Sequence, residues 1–210
     1  MKRSLWLIFL STLFLFQPYG INNLLAQASE EIEAVVLYPV MNTTFTCAEH
    51  AEGELTNLGD AYGRDCMVIR NDTTRLKGHR IPSLFKNNGL NNEDWFGWEV
   101  PVLAPFDGTV TSVNINDLTN QPGKFPDRTE LEGASEIRFS CENGVQVVYA
   151  HIRNPDVESG QSVKSGQEVA LIGNNAVSTA PHIHLGAWRD KTPLQIRFDL
   201  RALGKIRGKK

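Results

Sequence analysis

Two apolar segments joined by an Asn-Gly pair restrict the possible folds of this chain more than any other feature. Residues 137–141 and 145–152 are rich in β-branched and aromatic side chains, which favour strands. Asn143-Gly144 between them is the strongest short-range signal for a β-hairpin. Further short apolar runs bounded by turn residues follow the same pattern: 102–104, 109–113, 166–173 and 183–188. No long helical period occurs, so the sequence predicts an all-β fold with mainly antiparallel strands.

Two long polar segments interrupt this strand pattern, at residues 73–99 and 114–134. Loops of this length in a small domain commonly serve as lids or binding walls. The first segment carries Trp95, Phe96 and Trp98. These rings either offer a flat apolar surface to a ligand or cap the core from outside, and the sequence leaves both possibilities open.

The N-terminal segment has the layout of a secretory signal peptide, which we place at residues 1–28. A short cationic start is followed by an apolar run at 5–16 and a small-residue site, Ala-Gln-Ala, at 26–28. A membrane span would need about 20 unbroken apolar residues, so an uncleaved anchor is the weaker alternative. We therefore expect an exported protein, periplasmic or extracellular, that begins near Ser29 and keeps no stable membrane span.

The cysteines of an exported chain enter an oxidising compartment, where disulfides persist. Cys47, Cys66 and Cys141 allow at most one intramolecular disulfide, and we expect Cys47 to pair with Cys66. The chain has no Cys-x-x-Cys spacing, which argues against a zinc site built from cysteines.

Basic side chains crowd the C-terminal end of a chain whose net charge is −3: Arg197, Arg201, Lys205, Arg207, Lys209 and Lys210. We expect residues 193–210 to form a solvated, frayed basic tail, with contact to an anionic wall or membrane as the alternative. No other part of the chain carries a nucleic-acid footprint, so we expect no nucleic-acid partner.

The most informative polar side chains are three histidines in strand segments. Strand side chains alternate between faces, so His182, His184 and Gly186 share one face, while the apolar residues between them share the other. Two imidazoles so spaced lie about 6–7 Å apart at their α-carbons, so one can bind a metal while the other contacts a substrate. We expect Gly186 to keep that face open. His151 ends a second strand, and together the three histidines predict a functional site.

Four segments occur in a specific order along the chain: Ala104–Val110 (APFDGTV), Tyr149–His151 (YAH), Val163–Gly173 (VKSGQEVALIG) and Pro181–His184 (PHIH). Together they resemble the lysostaphin- or LytM-like zinc metallopeptidases, which cut peptide cross-links in peptidoglycan. The resemblance extends from about residue 61 to residue 188. It implies a single LytM-like β-sheet core domain with long loop insertions. The β core would occupy 101–192, with 29–100 as the N-terminal part of the domain.

The resemblance also assigns residues to roles. His184 matches the family's zinc-binding histidine, and His151 and His182 match the two catalytic histidines that flank the reacting carbonyl. The other two zinc ligands of the family come from a His-x-Gly-x-Asp pattern. This chain has Ala-Tyr-Gly-Arg-Asp at 61–65, so Asp65 matches one ligand while Ala61 has no donor atom.

A different residue must supply the missing ligand if zinc is bound, because catalytic zinc normally has three protein ligands. His79, in the insertion that follows Asp65, is the first candidate, and His50 and Asp60 are weaker ones. Cys66 adjoins Asp65 and should face the opposite side of its strand.

The resemblance thus implies an exported zinc metalloendopeptidase that acts on the peptide stems of peptidoglycan. Bound Zn²⁺ would polarise the scissile carbonyl and lower the pKa of its water toward about 7. One of His151 and His182 would act as general base. The other would bind the oxyanion or protonate the leaving amine, and the spacing leaves this division open.

Other interpretations remain. A catalytically inactive relative that binds peptidoglycan or regulates another cell-wall hydrolase would account for Ala61 directly. A loosely bound metal with extra waters would give a slow enzyme. Segments 104–110 and 163–173 also resemble the halves of biotinyl or lipoyl carrier domains, but no lysine here lies between two methionines, the arrangement common in such carriers.

Overall fold

A computed structural model of the chain describes residues 31–72, 79–126 and 133–208. The signal peptide expected at 1–28 lies outside these residues. The first strands in chain order are β1 (Ala34–Leu37), β2 (Phe45–Glu49), β3 (Arg64–Val68), β4 (Arg70–Asp72), β5 (Ile81–Ser83), β6 (Pro101–Leu103), β7 (Gly108–Asn114) and β8 (Glu136–Ser140). The later elements are β9 (Val145–Ala150), β10 (Ile152–Arg153), β11 (Ser162–Val163), β12 (Glu168–Ile172), β13 (Ile183–Arg189), β14 (Thr192–Pro193), β15 (Gln195–Phe198) and the helix α1 (Leu200–Arg207), and a 3₁₀ turn covers Asn92–Asp94.

The central sheet has the strand order β11-β7-β8-β9-β13-β3-β2, with β14 paired to β13 at one end. Neighbouring strands in it are antiparallel. A smaller antiparallel sheet has the order β10-β12-β6, and β1 pairs with β15 in parallel. The predicted all-β, mainly antiparallel fold is confirmed.

The hairpin predicted at Asn143-Gly144 joins β8 to β9. Gly144 has a φ of +80°, and its N–H donates to Cys141 O. The sequence predicted one strand over 145–152, but the strand breaks at His151, whose φ of +62° turns the chain toward the smaller sheet. His151 therefore lies at the end of β9, where the two sheets separate.

The core lies beneath the central sheet and follows the predicted alternation along β13. Ile183, Leu185 and Ala187 are fully buried on one face. Phe139 and Tyr149 on neighbouring strands are also fully buried, with ring centroids 5.2 Å apart. This alternation fixes which residues of β13 remain available for a site on the opposite face.

The expected disulfide between Cys47 and Cys66 is present and links the directly paired strands β2 and β3. Cys66 is fully buried, on the opposite side of β3 from Asp65, as the alternation of strand side chains requires. The bridge therefore holds the register of the strand that carries Asp65.

The C-terminal segment is structured, so the expectation of a frayed tail is wrong for residues 195–207. Strand β15 pairs with β1, and Ile196 is fully buried. The Asp199 carboxylate accepts hydrogen bonds from the first N–H groups of α1 and caps this helix. Within the described parts of the chain, no helix is both long and apolar enough to cross a membrane.

The aromatic residues of the first long insertion make contacts within the protein. The ring of Trp95 lies 4.9 Å from that of Phe85, and its indole N–H donates to Gly89 O. The Arg153 guanidinium lies 4.6 Å from the centre of the Trp98 ring. These contacts favour the capping role that the sequence left open.

Candidate metal centre

Side chains with metal-binding atoms converge where β2, β3 and β13 lie side by side. His184 on β13 is directly paired with Asp65 on β3, so both side chains lie on the same face of the sheet. His50 follows the last residue of β2, and its backbone N–H donates to Gly63 O. Each of His50, Asp65 and His184 offers one potential ligand atom, and these three atoms lie within 4.8 Å of one another.

Asp65 is at the centre of this group. His50 Nε2 lies 3.1 Å from Asp65 Oδ2, and His184 Nδ1 lies 2.9 Å from Asp65 Oδ1. The two imidazole rings stack at 5.2 Å between centroids. Two ligand atoms of a tetrahedral zinc ion lie about 3.3 Å apart, because each is about 2.0–2.1 Å from the metal. Small shifts would therefore replace these hydrogen bonds with coordination.

The structure brings Asp65 and His184 together, as the sequence led us to expect, and it adds His50 beside them rather than His79. His79 is exposed and lies outside the group of potential ligands. The pairing of Cys47 with Cys66 could have pointed to His50 from the sequence. The same strand register places His50 opposite Gly63, on the face of the sheet that carries Asp65.

Two glycines allow the backbone of this region to pack closely. A Cβ at Gly63 would lie 2.6 Å from Leu185 O, and one at Gly186 would lie 1.2 Å from Gly59 O. The expectation that Gly186 keeps its face open is therefore wrong, because the backbone of Gly59 covers it. This contact brings the next residue, Asp60, against His184.

Gly186→Ala should lower the free energy of unfolding by about 3 kcal/mol, because the new methyl group would displace the backbone at Gly59. Gly204→Ala in α1 is the matched control. Apart from its own helix backbone and chain neighbours, no atom lies within 4 Å of the new methyl group, so this variant should be unchanged or about 0.5–1 kcal/mol more stable. Urea unfolding followed by circular dichroism measures both, and a wild-type midpoint for Gly186→Ala would contradict the close packing.

Asp60 makes contacts with both histidines of the group. Its Oδ1 lies 3.0 Å from His184 Nε2, and its backbone O lies 3.2 Å from His50 Nδ1. The hydrogen bond to His184 lowers the pKa of Asp60. Burial opposes a charge on His184, but its hydrogen bonds to Asp60 and Asp65 outweigh burial and raise its pKa to about 9. The two carboxylates therefore favour a positive charge on the His184 ring.

His151 and His182 lie beside the metal-binding group, with ring centroids 4.6 Å apart. His151 Nδ1 lies 2.9 Å from Asn175 O, and His182 Nδ1 lies 2.8 Å from Ala180 O. Because a carbonyl oxygen can only accept, each Nδ1 carries a hydrogen, and Nε2 is the ring nitrogen that faces the cleft chemistry in both residues. Burial lowers the pKa of His151 to about 3, so this ring is neutral.

The six side chains of the site open into one cleft of about 850 Å³, within the range of about 300–1,000 Å³ typical of ligand pockets. Phe125 and Val177 line it with largely exposed side chains, 78% and 64% accessible. Trp95, Phe96 and Trp98 are not among the described residues that line this cleft. The cleft thus combines potential metal ligands, two fixed imidazoles and an apolar rim.

Residues 97–196 match the family model described as peptidase family M23. This segment contains His151, His182 and His184, but it begins after His50 and Asp65. The chain is also 38% identical over 84 residues to an uncharacterized metalloprotease from Haemophilus influenzae (strain ATCC 51907 / DSM 11121 / KW20 / Rd). That alignment covers 40% of this chain and only 15% of the relative.

Solved structures that match the chain include the catalytic domain of the antimicrobial peptidase lysostaphin from Staphylococcus simulans. It is 19% identical, with a TM-score of 0.42, and the match covers 72% of this chain and 87% of that one. A structure of the SpoIIIAH and SpoIIQ complex is 16% identical, with a TM-score of 0.47, and the match covers 76% of this chain and 96% of that one.

Proposed function

We propose that this chain is an exported zinc endopeptidase of peptidase family M23 that hydrolyses the peptide cross-links of peptidoglycan, and the match of residues 97–196 to that family supports the proposal. The match bears out the resemblance to lysostaphin- and LytM-like metallopeptidases. The single observation that carries the proposal is the position of His50, which supplies a donor atom where Ala61 has none. We place its site of action in the periplasm or the extracellular space.

The donor set fits a catalytic zinc ion. Two imidazoles and one carboxylate are a common ligand set for zinc in hydrolases, and catalytic sites keep a fourth position for water. His50, Asp65 and His184 would hold the ion. When bound, zinc would polarise the scissile carbonyl and acidify a water molecule, and this supplies a nucleophile near neutral pH.

The two remaining histidines would handle protons and charge. His151 is neutral, and the Asn175 carbonyl fixes its Nδ1–H, so its Nε2 can accept a proton from the attacking water. His182 lies nearer the ligands, with Nε2 3.6 Å from Asp65 Oδ1. We assign it to the oxyanion and then to the leaving amine. In this role the His182 ring would carry a hydrogen on Nε2 as well as on Nδ1, so that Nε2–H would donate to the oxyanion and then pass its proton to the leaving amine. This assignment makes His151 the general base and His182 the partner of the oxyanion and the amine, a division that the sequence left open.

The test measures metal content and hydrolysis on the purified chain from Ser29 onward. We expect about one zinc ion per chain, and digestion of purified peptidoglycan that exposes new amino groups. A chelator should stop the digestion, and added zinc should restore it. A chain with neither bound metal nor turnover would instead support the inactive alternative. Co-sedimentation with peptidoglycan or with another cell-wall hydrolase would then examine the binding role.

A further inference from the structure

Asp60 is the residue of this site that contacts both candidate histidine ligands on the side away from Asp65. Its carboxylate Oδ1 faces His184 Nε2 at 3.0 Å, and its backbone carbonyl faces His50 Nδ1 at 3.2 Å. The other nitrogen of each ring faces Asp65, at 2.9 Å for His184 Nδ1 and 3.1 Å for His50 Nε2. Each imidazole therefore lies between the two aspartates.

The position of Asp60 is set by a short turn. Its N–H donates to Asn57 O, and its carbonyl accepts from Gly63 N–H. The Asn57 amide donates to Asp60 Oδ2 at 2.9 Å, which orients the carboxylate. The backbone of Gly59 rests on Gly186 of β13, so the turn is held against the strand that carries His184. Both acceptors of Asp60 are thus held in place by contacts within the protein.

We propose that Asp60 is a positioning residue that orients both histidine ligands, an inference that rests on the zinc peptidase function proposed above. Its carboxylate accepts the Nε2 hydrogen of His184, and its carbonyl accepts the Nδ1 hydrogen of His50. These bonds leave His184 Nδ1 and His50 Nε2, both beside Asp65, as the nitrogens that bind the ion. Such partners fix the tautomer of a ligand histidine and raise its basicity.

Asp60 is not itself a ligand of the same ion in this arrangement. The two nitrogens of an imidazole point in different directions, so Asp60 Oδ1 and Asp65 Oδ1 lie on different sides of the His184 ring. Asp60 is accordingly absent from the group of donor atoms that lie within 4.8 Å of one another. Its effect on the metal must pass through the histidines.

The first test compares the zinc affinity of Asp60→Asn with that of Glu54→Gln in the mature chain. Both substitutions remove one negative charge from the same cleft. Among the described contacts, the Glu54 carboxylate accepts from Ala51 N–H rather than from a histidine. Competition with a coloured zinc chelator should show about 10- to 100-fold weaker binding for Asp60→Asn and unchanged binding for Glu54→Gln.

The second test reads the tautomers directly in the zinc-loaded wild-type chain. Long-range ¹H–¹⁵N NMR of the histidine rings should place the hydrogen of His184 on Nε2 and that of His50 on Nδ1. This measurement needs no variant, so it decides the matter even where Asp60→Asn fails to fold.

The outcomes separate this inference from the function on which it rests. Equal zinc affinity of Asp60→Asn and wild type, or a hydrogen on His184 Nδ1, would overturn the role of Asp60 and leave the peptidase proposal standing. A wild-type chain that binds no zinc at all would overturn both.

Discussion

His184→Ala should lose zinc and peptidase activity together, whereas His182→Ala should lose activity and keep its metal content nearly unchanged. The two side chains come from neighbouring positions of one segment, yet they make different contacts. His184 shares a hydrogen bond with Asp65 inside the candidate ligand group, and His182 is held by Ala180 O beside it. Removal of a general acid or base typically costs about 10²–10⁴-fold in rate, so the His182 variant should be nearly inactive.

Zinc content by elemental mass spectrometry and digestion of purified peptidoglycan measure this pair of effects. Chelator-treated wild type is the control, because it should match the His184 variant in both readouts. Added zinc should restore the metal content and activity of the chelator-treated wild type and leave the His184 variant inactive. If both variants cleave at the wild-type rate, the assignment of the site is wrong, and if His182→Ala also loses its metal, His182 belongs among the ligands.

His50→Ala should weaken zinc binding by more than about 100-fold, since it removes a direct ligand rather than an outer partner. His50 lies among the other candidate ligands: its Nε2 is 3.1 Å from Asp65 Oδ2, and its ring stacks on that of His184. Two protein ligands would remain, fewer than the three that catalytic zinc normally has. Activity at low free zinc should disappear with the metal.

His79→Ala is the informative comparison for this prediction, because the sequence favoured His79 over His50 as the missing ligand. His79 is exposed and outside the ligand group, so its replacement should leave zinc affinity at the wild-type value. Zinc competition titrations measure both variants under the same conditions. A large loss in His79→Ala with none in His50→Ala would reverse our assignment of the third ligand.

The features that the sequence predicted well depend on neighbouring residues. The Asn143-Gly144 turn and the alternation along β13 are local, because side chains in a strand change faces at every residue. The same alternation places Asp65 and Cys66 on opposite sides of β3. These regularities need no knowledge of which strands become neighbours.

The errors arise where distant segments meet. Nothing near Gly186 in the sequence shows that Gly59 will rest on it, and nothing near Gln195–Phe198 shows a parallel partner in β1. The frayed tail and the open face at Gly186 were both expected from local composition alone. The tail is ordered by its backbone pairing with β1, and the face at Gly186 is covered by the backbone of Gly59, so each expectation failed through a long-range backbone contact.

The sequence by itself determined the antiparallel strand pattern, the shared face of His182 and His184, and the absence of a donor at Ala61, since each follows from residue type and a period of two. Only the tertiary structure decided what replaces that donor. The register of β2 against β3 brings His50 to Asp65, and the packing of Gly59 on Gly186 brings Asp60 to His184. The candidate ligands come from separate strands, so strand register and close backbone packing decide which of them lie close enough to bind one ion.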